Sequence, residues 1–133
     1  MSNLVLITGS RSIQRSEVVA RVVSGLIKRG DQIIVGDAPG VDRLAVYEAV
    51  AQNYGQQVTV VGAYNKCRNS FAVGRVRAVV KLSSAYLARN LYMVGLAHEC
   101  IAIWDGSSRG TQFTFESAKK AGLPVTVYEE RRR

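Results

Sequence analysis

Five short apolar runs, each closing on a turn of small or polar residues, constrain this chain more than any other feature of its sequence. They are Leu4–Thr8, Gln32–Gly36, Val58–Gly62, Cys100–Trp104 and Pro124–Tyr128, and stretches with helical spacing separate them. A run that is apolar on both faces belongs to a strand covered by helices on either side, which is the condition of a parallel sheet. The pattern predicts an α/β fold: a Rossmann-like three-layer sandwich around a mainly parallel, five-stranded sheet. Right-handed crossovers give the strand order 3-2-1-4-5, which sets the first and fourth strand ends side by side. In such sheets ligands bind at the strand carboxyl ends.

The helices are legible in outline. Val18, Val19, Val22, Val23, Leu26 and Ile27 make one stripe, so a helix is expected over Ser16–Arg29, with Gly30 as its left-handed stop. Asp42 is placed to cap a second helix that turns Leu44, Ala45, Val46, Ala49 and Val50 inward and ends near Tyr54-Gly55. A further helix is expected over Ser84–His98, with His98 capping its carboxyl end. Thr111 is read as the cap of the last helix, which Gly122-Leu123-Pro124 ends. Between Ala63 and Leu82, Asn65, Asn69-Ser70 and Gly74 break the pattern, and Val79-Val80-Lys81-Leu82 fits strand or helix equally.

Composition excludes several classes. A chain of 133 residues, 47% apolar, reads as one domain over 1–133 with a core of its own. No apolar run approaches the roughly 20 residues that cross a bilayer, so no membrane partner is expected. The amino terminus runs straight into a strand, which reads as no signal peptide and a cytoplasmic location. Two cysteines, Cys67 and Cys100, are too few for a disulfide framework and lack metal-ligand spacing. His98 is the sole histidine, so neither a Ser-His-Asp triad nor a histidine metal cluster can form; no metal and no required cofactor are expected.

The net charge of +8 is uneven. From Ala49 to His98 there is no acid, while Lys66, Arg68, Arg75, Arg77, Lys81 and Arg89 all fall there, and Arg131-Arg132-Arg133 closes the chain. Such runs are a solvated face or a positive mouth for phosphate or nucleic acid. The central cluster adjoins the expected ligand edge, which favours a phosphate-bearing ligand.

Three strand ends carry candidate chemistry. Gly9-Ser10-Arg11 combines a tight turn, a hydroxyl and a cation before a helix, an anion site in miniature. Gly36-Asp37-Ala38-Pro39-Gly40-Val41-Asp42 reads as a turn with a capping aspartate, or as one that also offers Asp37 or Asp42 to a ribose hydroxyl. Trp104-Asp105-Gly106-Ser107-Ser108-Arg109-Gly110-Thr111 makes a phosphate cradle, with Asp105 able to act as acid, base or ribose clamp and Trp104 as core or as a base-stacking ring. Neither a Gly-x-Gly-x-x-Gly fingerprint nor a phosphate-loop lysine is present.

Four pieces in this order, Gly9-Ser10-Arg11, Gly36-Asp37-Ala38-x-Gly40-x-Asp42, Arg89-Asn90-x-x-Met93 and Trp104-Asp105-Gly106-x-Ser108-x-Gly110-Thr111, resemble the YspA/YpsA-related branch of the SLOG superfamily. That superfamily also holds the Lonely Guy phosphoribohydrolases and the DprA proteins that bind single-stranded DNA. The resemblance spans Leu4 to Tyr128, and Ala63–Ala88 departs from it. It implies a nucleotide or nucleotide-derived ligand, such as an ADP-ribose-like molecule, with phosphate at Gly106–Thr111 and Arg89 serving the site. Tyr86, Tyr92 and Met93 stand beside Arg89 as base contacts or packing residues. The phosphoribohydrolases carry a glutamate where this chain has Thr114, and Glu116 lies about 200° further round the helix. A glycosidic bond usually needs a carboxylate near the anomeric carbon, so the loss favours binding over hydrolysis.

The ligand-binding set is therefore Gly9, Ser10, Arg11, Gly36, Asp37, Gly40, Asp42, Arg89, Asn90, Met93, Asp105, Gly106, Ser108, Gly110 and Thr111. The expected role is nucleotide sensing or sequestration by a homo-oligomer. Two alternatives stand beside it: a nucleoside monophosphate phosphoribohydrolase using Asp105, Arg89 or Asp42, and a single-stranded nucleic-acid module using the basic 66–89 segment.

Overall fold

The structure is a computed structural model and describes residues 2–131. Each apolar run becomes a strand: β1 (Leu4–Gly9), β2 (Gln32–Gly36), β3 (Val58–Gly62), β5 (Glu99–Trp104) and β6 (Val125–Glu129). A further strand, β4 (Ala78–Lys81), precedes β5 in the chain. All pairings are parallel and the order is β4-β3-β2-β1-β5-β6. The expected five-stranded sheet in order 3-2-1-4-5 is corrected to six strands in order 4-3-2-1-5-6. The added strand occupies the outer edge beside β3, where Ala78, Val79 and Val80 are only half-buried. An edge position gives neither the continuous burial nor the strict alternation by which a strand announces itself.

Register explains the two cores. Leu6 lies opposite Ile34 and Cys100, and with Met93 and Phe115 it builds the core under α3 (Tyr86–Leu96) and α4 (Arg109–Lys120). Val5 and Ile7 point the other way and join Val19, Val23, Leu26 and Val46 beneath α1 (Glu17–Arg29) and α2 (Val41–Ala51). Strand side chains alternate between faces, so consecutive apolar residues feed opposite layers. Each buried Leu, Ile or Val contributes about 1.5–3 kcal/mol.

Helix ends follow the sequence at both ends of α1 and at the end of α4, and depart from it at the starts of α2 and α4 and the end of α3. Ser16 caps α1 by accepting the Val19 N–H at 3.1 Å, and Gly30 stops the helix at φ 73°. α2 is capped by Gly40, not Asp42; Asp42 sits inside the first turn and is buried. α4 is capped by Ser108, with Thr111 buried inside its first turn. α3 ends at Leu96, and His98 does not cap it: its N–H donates to Leu4 O at 2.8 Å and its Nδ1 accepts the Leu4 N–H at 2.9 Å, pinning the start of β1.

β1 and β5 are neighbours, and the chain leaves them in opposite directions across the sheet. Their carboxyl ends therefore diverge into different loops and leave a crevice between them. Gly9 is required there: a Cβ would lie 2.5 Å from Ile103 O and from Val41 Cβ.

Candidate functional site

A cleft of about 660 Å³ opens at this crevice. Thr8 and Gly9 of β1 lie at its base, with Arg11 and Ser12 in the loop beyond. Asp105, Ser108, Arg109, Gly110 and Thr111 line the β5–α4 side. Ala38 and Asp42 come from the β2–α2 turn, and Arg89, Asn90 and Met93 from α3. Tyr86, Leu87 and Arg68 complete the lining. Such a cleft has the size and mixed polarity of a small-molecule site.

Ten of the fifteen expected site residues line the cleft; Ser10, Gly36, Asp37, Gly40 and Gly106 stand behind it. Ser10 Oγ accepts the Asp105 N–H at 3.0 Å, tying the β1 turn to the β5 turn. Gly40 adopts φ 82°, and a Cβ there would lie 2.4 Å from Ser10 O and 2.6 Å from Arg11 Cα. Gly36 is packed: its Cβ would lie 2.7 Å from Asp42 Oδ2 and 2.9 Å from Arg89 Nη1. Gly106, at φ 87°, lies against Arg131 and Glu129 instead of the cleft.

Asp37 does not offer a carboxylate to a ribose. It is 1% exposed, and its Oδ1 accepts Arg89 Nη1 at 2.7 Å and Arg68 Nη2 at 2.9 Å, while Oδ2 accepts the Arg68 N–H at 2.8 Å. Burial pushes its pKa up, but the hydrogen bonds from Arg68 and Arg89 outweigh that and hold it below the ordinary value. Arg68 is correspondingly raised: burial works against its charge, and Asp37 more than restores it.

Arg89 carries this network across the cleft. Its Nη1 also donates to Val61 O at 2.9 Å, and its Nε donates to Asn90 Oδ1 at 2.7 Å. Asn90 Nδ2 donates to Thr114 Oγ1 at 2.9 Å, and Thr114 donates to Gly110 O at 2.9 Å. One hydrogen-bonded chain thus runs from the end of β2 to the first turn of α4. Thr114, where the resemblance would have a catalytic glutamate, is a fully buried link in that chain.

The two cleft carboxylates have opposite characters. Asp105 Oδ2 accepts Ser12 Oγ at 2.6 Å, and Oδ1 accepts the N–H groups of Ser107 at 2.9 Å and Ser108 at 2.7 Å. Led by the Ser12 bond, these hold its pKa well below the ordinary value, so it stays ionised and shapes the loop that starts α4. Asp42 is 6% exposed, and burial, assisted by the Asp37 charge, pushes its pKa up to about 7 against the pull of Arg89 and the Ala38 N–H. Its Oδ2 accepts that N–H at 3.2 Å. Such a carboxyl can hold or release a proton near neutrality.

The basic segment does not form one surface. Arg68 and Arg89 enter the cleft. Arg75 and Arg77 precede β4 at the opposite, amino edge of the sheet, where Arg75 lies 4.6 Å over the Phe71 ring, itself stacked on Tyr47 at 4.1 Å. Trp104 serves the core: its ring meets Phe115 edge-on at 5.3 Å, and its Nε1 donates to Ser108 O at 2.9 Å. Sequence reasoning left Thr8, Ser12, Ala38, Leu87 and Arg109 out of the site, and read Arg68 only as part of a charge run. For Ser12 a signal existed, since it closes the same turn as Ser10 and Arg11.

Among the described residues there is no cluster of three metal-binding side chains, and no helix is long and apolar enough to cross a membrane. The fold and site define a parallel α/β domain with a charged, hydroxyl-lined cleft at its topological switch. No family model and no curated protein matches the chain. A solved structure is similar: the X-ray structure of TM1055, a Northeast Structural Genomics Consortium target, has a TM-score of 0.75 and 21% sequence identity. The match covers 94% of this chain and 72% of that one. At this identity the likeness shows the fold.

Proposed function

We propose that this protein binds a nucleotide or nucleotide-derived ligand, an ADP-ribose-like molecule or a nucleoside phosphate, at the β1–β5 crevice, in a sensing or sequestering role in the cytoplasm. One observation carries the reading: a cleft at the switch point faces both the first turn of α4 and the cations Arg11, Arg68, Arg89 and Arg109. The amino end of a helix and convergent guanidinium groups favour phosphate. The resemblance of the Gly9, Arg89 and Gly106–Thr111 motifs to the YspA/YpsA-related branch of the SLOG superfamily supports the same reading. Isothermal titration with AMP, ADP-ribose, NAD and cyclic nucleotides tests it. Saturable binding that weakens with salt is expected, and no binding of any of them by the folded protein overturns it.

Asp42 favours a second reading, cleavage of the N-glycosidic bond of a nucleoside monophosphate. Its protonated carboxyl would give its proton to the departing base while water adds to the anomeric carbon and loses a proton to solvent. Incubation with AMP then yields free adenine and ribose 5-phosphate, and Asp42→Asn stops release while keeping affinity. Binding without any free base refutes this reading.

A homo-oligomer remains part of the proposal. α3 exposes Leu87, Leu91, Tyr92 and Leu96, and between Tyr86 and Leu96 the sole charged residue, Arg89, is buried. On a chain of net charge +8, this uncharged face is where two copies approach with least repulsion. Sedimentation is expected to show an oligomer that Leu91→Arg dissociates; a monomer at every concentration refutes it.

A further inference from the structure

We propose that Arg68 and Tyr86 form a stacking shelf for a planar aromatic base at the α3 side of the cleft, so that the ligand is selected for carrying a nucleobase and not as a bare sugar phosphate. The inference rests on the nucleotide reading of the same cleft. The Arg68 guanidinium lies 4.3 Å over the centre of the Tyr86 ring, and both residues line the cleft. Neither is loosely held. Arg68 is fixed to Asp37 through its backbone N–H and its Nη2, and the Tyr86 ring is braced edge-on by Tyr64 at 5.0 Å. The guanidinium covers one face of the ring, so the pair is a pre-set stack, and its outer planar face is the kind of surface on which bases stack.

Two further observations point the same way. Arg68 Nε is buried with no hydrogen-bond partner among the described residues, so the guanidinium is not oriented to satisfy all its donors. An orientation that leaves a donor unpaired costs stability, and it is the one that lays the flat guanidinium on the Tyr86 ring. Of the other aromatic rings that sequence placed near the ligand, Trp104 packs on Phe115, and neither Trp104 nor Tyr92 lines the cleft. Base recognition therefore falls to the α3 side, where Leu87 and Met93 give apolar flanks, while phosphate falls to the start of α4.

Titration of the wild-type protein with AMP and with ribose 5-phosphate, which share sugar and phosphate, isolates the base. AMP is expected to bind roughly 5- to 150-fold more tightly, the span that one base stacked on an aromatic platform supplies. Tyr86→Leu is expected to bring AMP down toward ribose 5-phosphate without weakening the latter, and Tyr86→Phe to keep the preference. Equal affinities for the two ligands in the wild-type protein overturn the shelf and leave phosphate binding standing. Equal weakening of both ligands by Tyr86→Leu also overturns it, by making the ring a structural support. Binding of neither ligand takes down the nucleotide reading together with the shelf. Tyr86 is 40% exposed, so its truncation spares the core, and the wild-type pair decides by itself if the variant misfolds.

Discussion

Replacing Asp42 by asparagine removes one titrating carboxyl from a buried part of the cleft, and the size of the effect follows from its environment. In the unfolded chain this group loses its proton near 3.8; in the folded protein burial defers that loss to about 7. Between these values the folded state binds more protons than the unfolded one, so stability falls as pH rises and levels off above about 7. The full penalty is about 4 kcal/mol, with about 2.5 kcal/mol of it developing between pH 5 and pH 8. Asparagine keeps an oxygen for the Ala38 N–H and has no charge to bury. Urea unfolding of both proteins across this range is the assay, because other titrations are common to the two and cancel in the difference. The variant is expected to gain on the wild type steadily up to about pH 7 and no further. A difference that stays flat, or that moves the other way, refutes the reasoning and makes Asp42 an ordinary ionised partner of Arg89.

Asp37→Ala leaves two arginine side chains in the buried network without their shared carboxylate, and urea unfolding is expected to show a loss of about 3–5 kcal/mol, a large share of the stability of a domain this size. Gly40→Ala drives a methyl into Ser10 O and Arg11 Cα while holding a positive φ, and is expected to cost about 1–3 kcal/mol from overlap and about 1–2 more from the backbone. Gly110→Ala meets nothing within 4 Å in the first turn of α4, so a thermal melt is expected to show a gain of about 0.5–1 kcal/mol, with phosphate affinity reduced wherever a ligand approaches that backbone.

What was legible in the sequence was whatever burial writes in a continuous stretch. The inner strands are apolar on both faces, so Leu4-Val5-Leu6-Ile7 and Ile33-Ile34-Val35 declared themselves without help from the rest of the chain. β4 did not, because a four-residue edge strand is defined by its pairing to β3 and not by its own pattern. Asp42 misled for a related reason: an aspartate at a helix start fits a cap whether it faces out or in, and here Gly40 takes the cap while the carboxyl turns inward. The Asp37 partnerships span 31 and 52 positions, beyond any local motif. The glycines at 9, 36 and 40 were visible as ligand turns, but all three let one part of the protein approach another, and of them only Gly9 also lines the cleft.

The two outermost strands bear on how copies of this molecule can meet. β4 has four residues and ends on the exposed Lys81, and β6 ends on Glu129, paired with Arg131 at 3.2 Å. Abbreviated, charge-tipped margins are how natural sheets resist zipping onto one another. Self-association by lengthening the sheet is thereby discouraged at both flanks, which protects a positively charged domain against filament growth and leaves helix-to-helix contact as the route open to it.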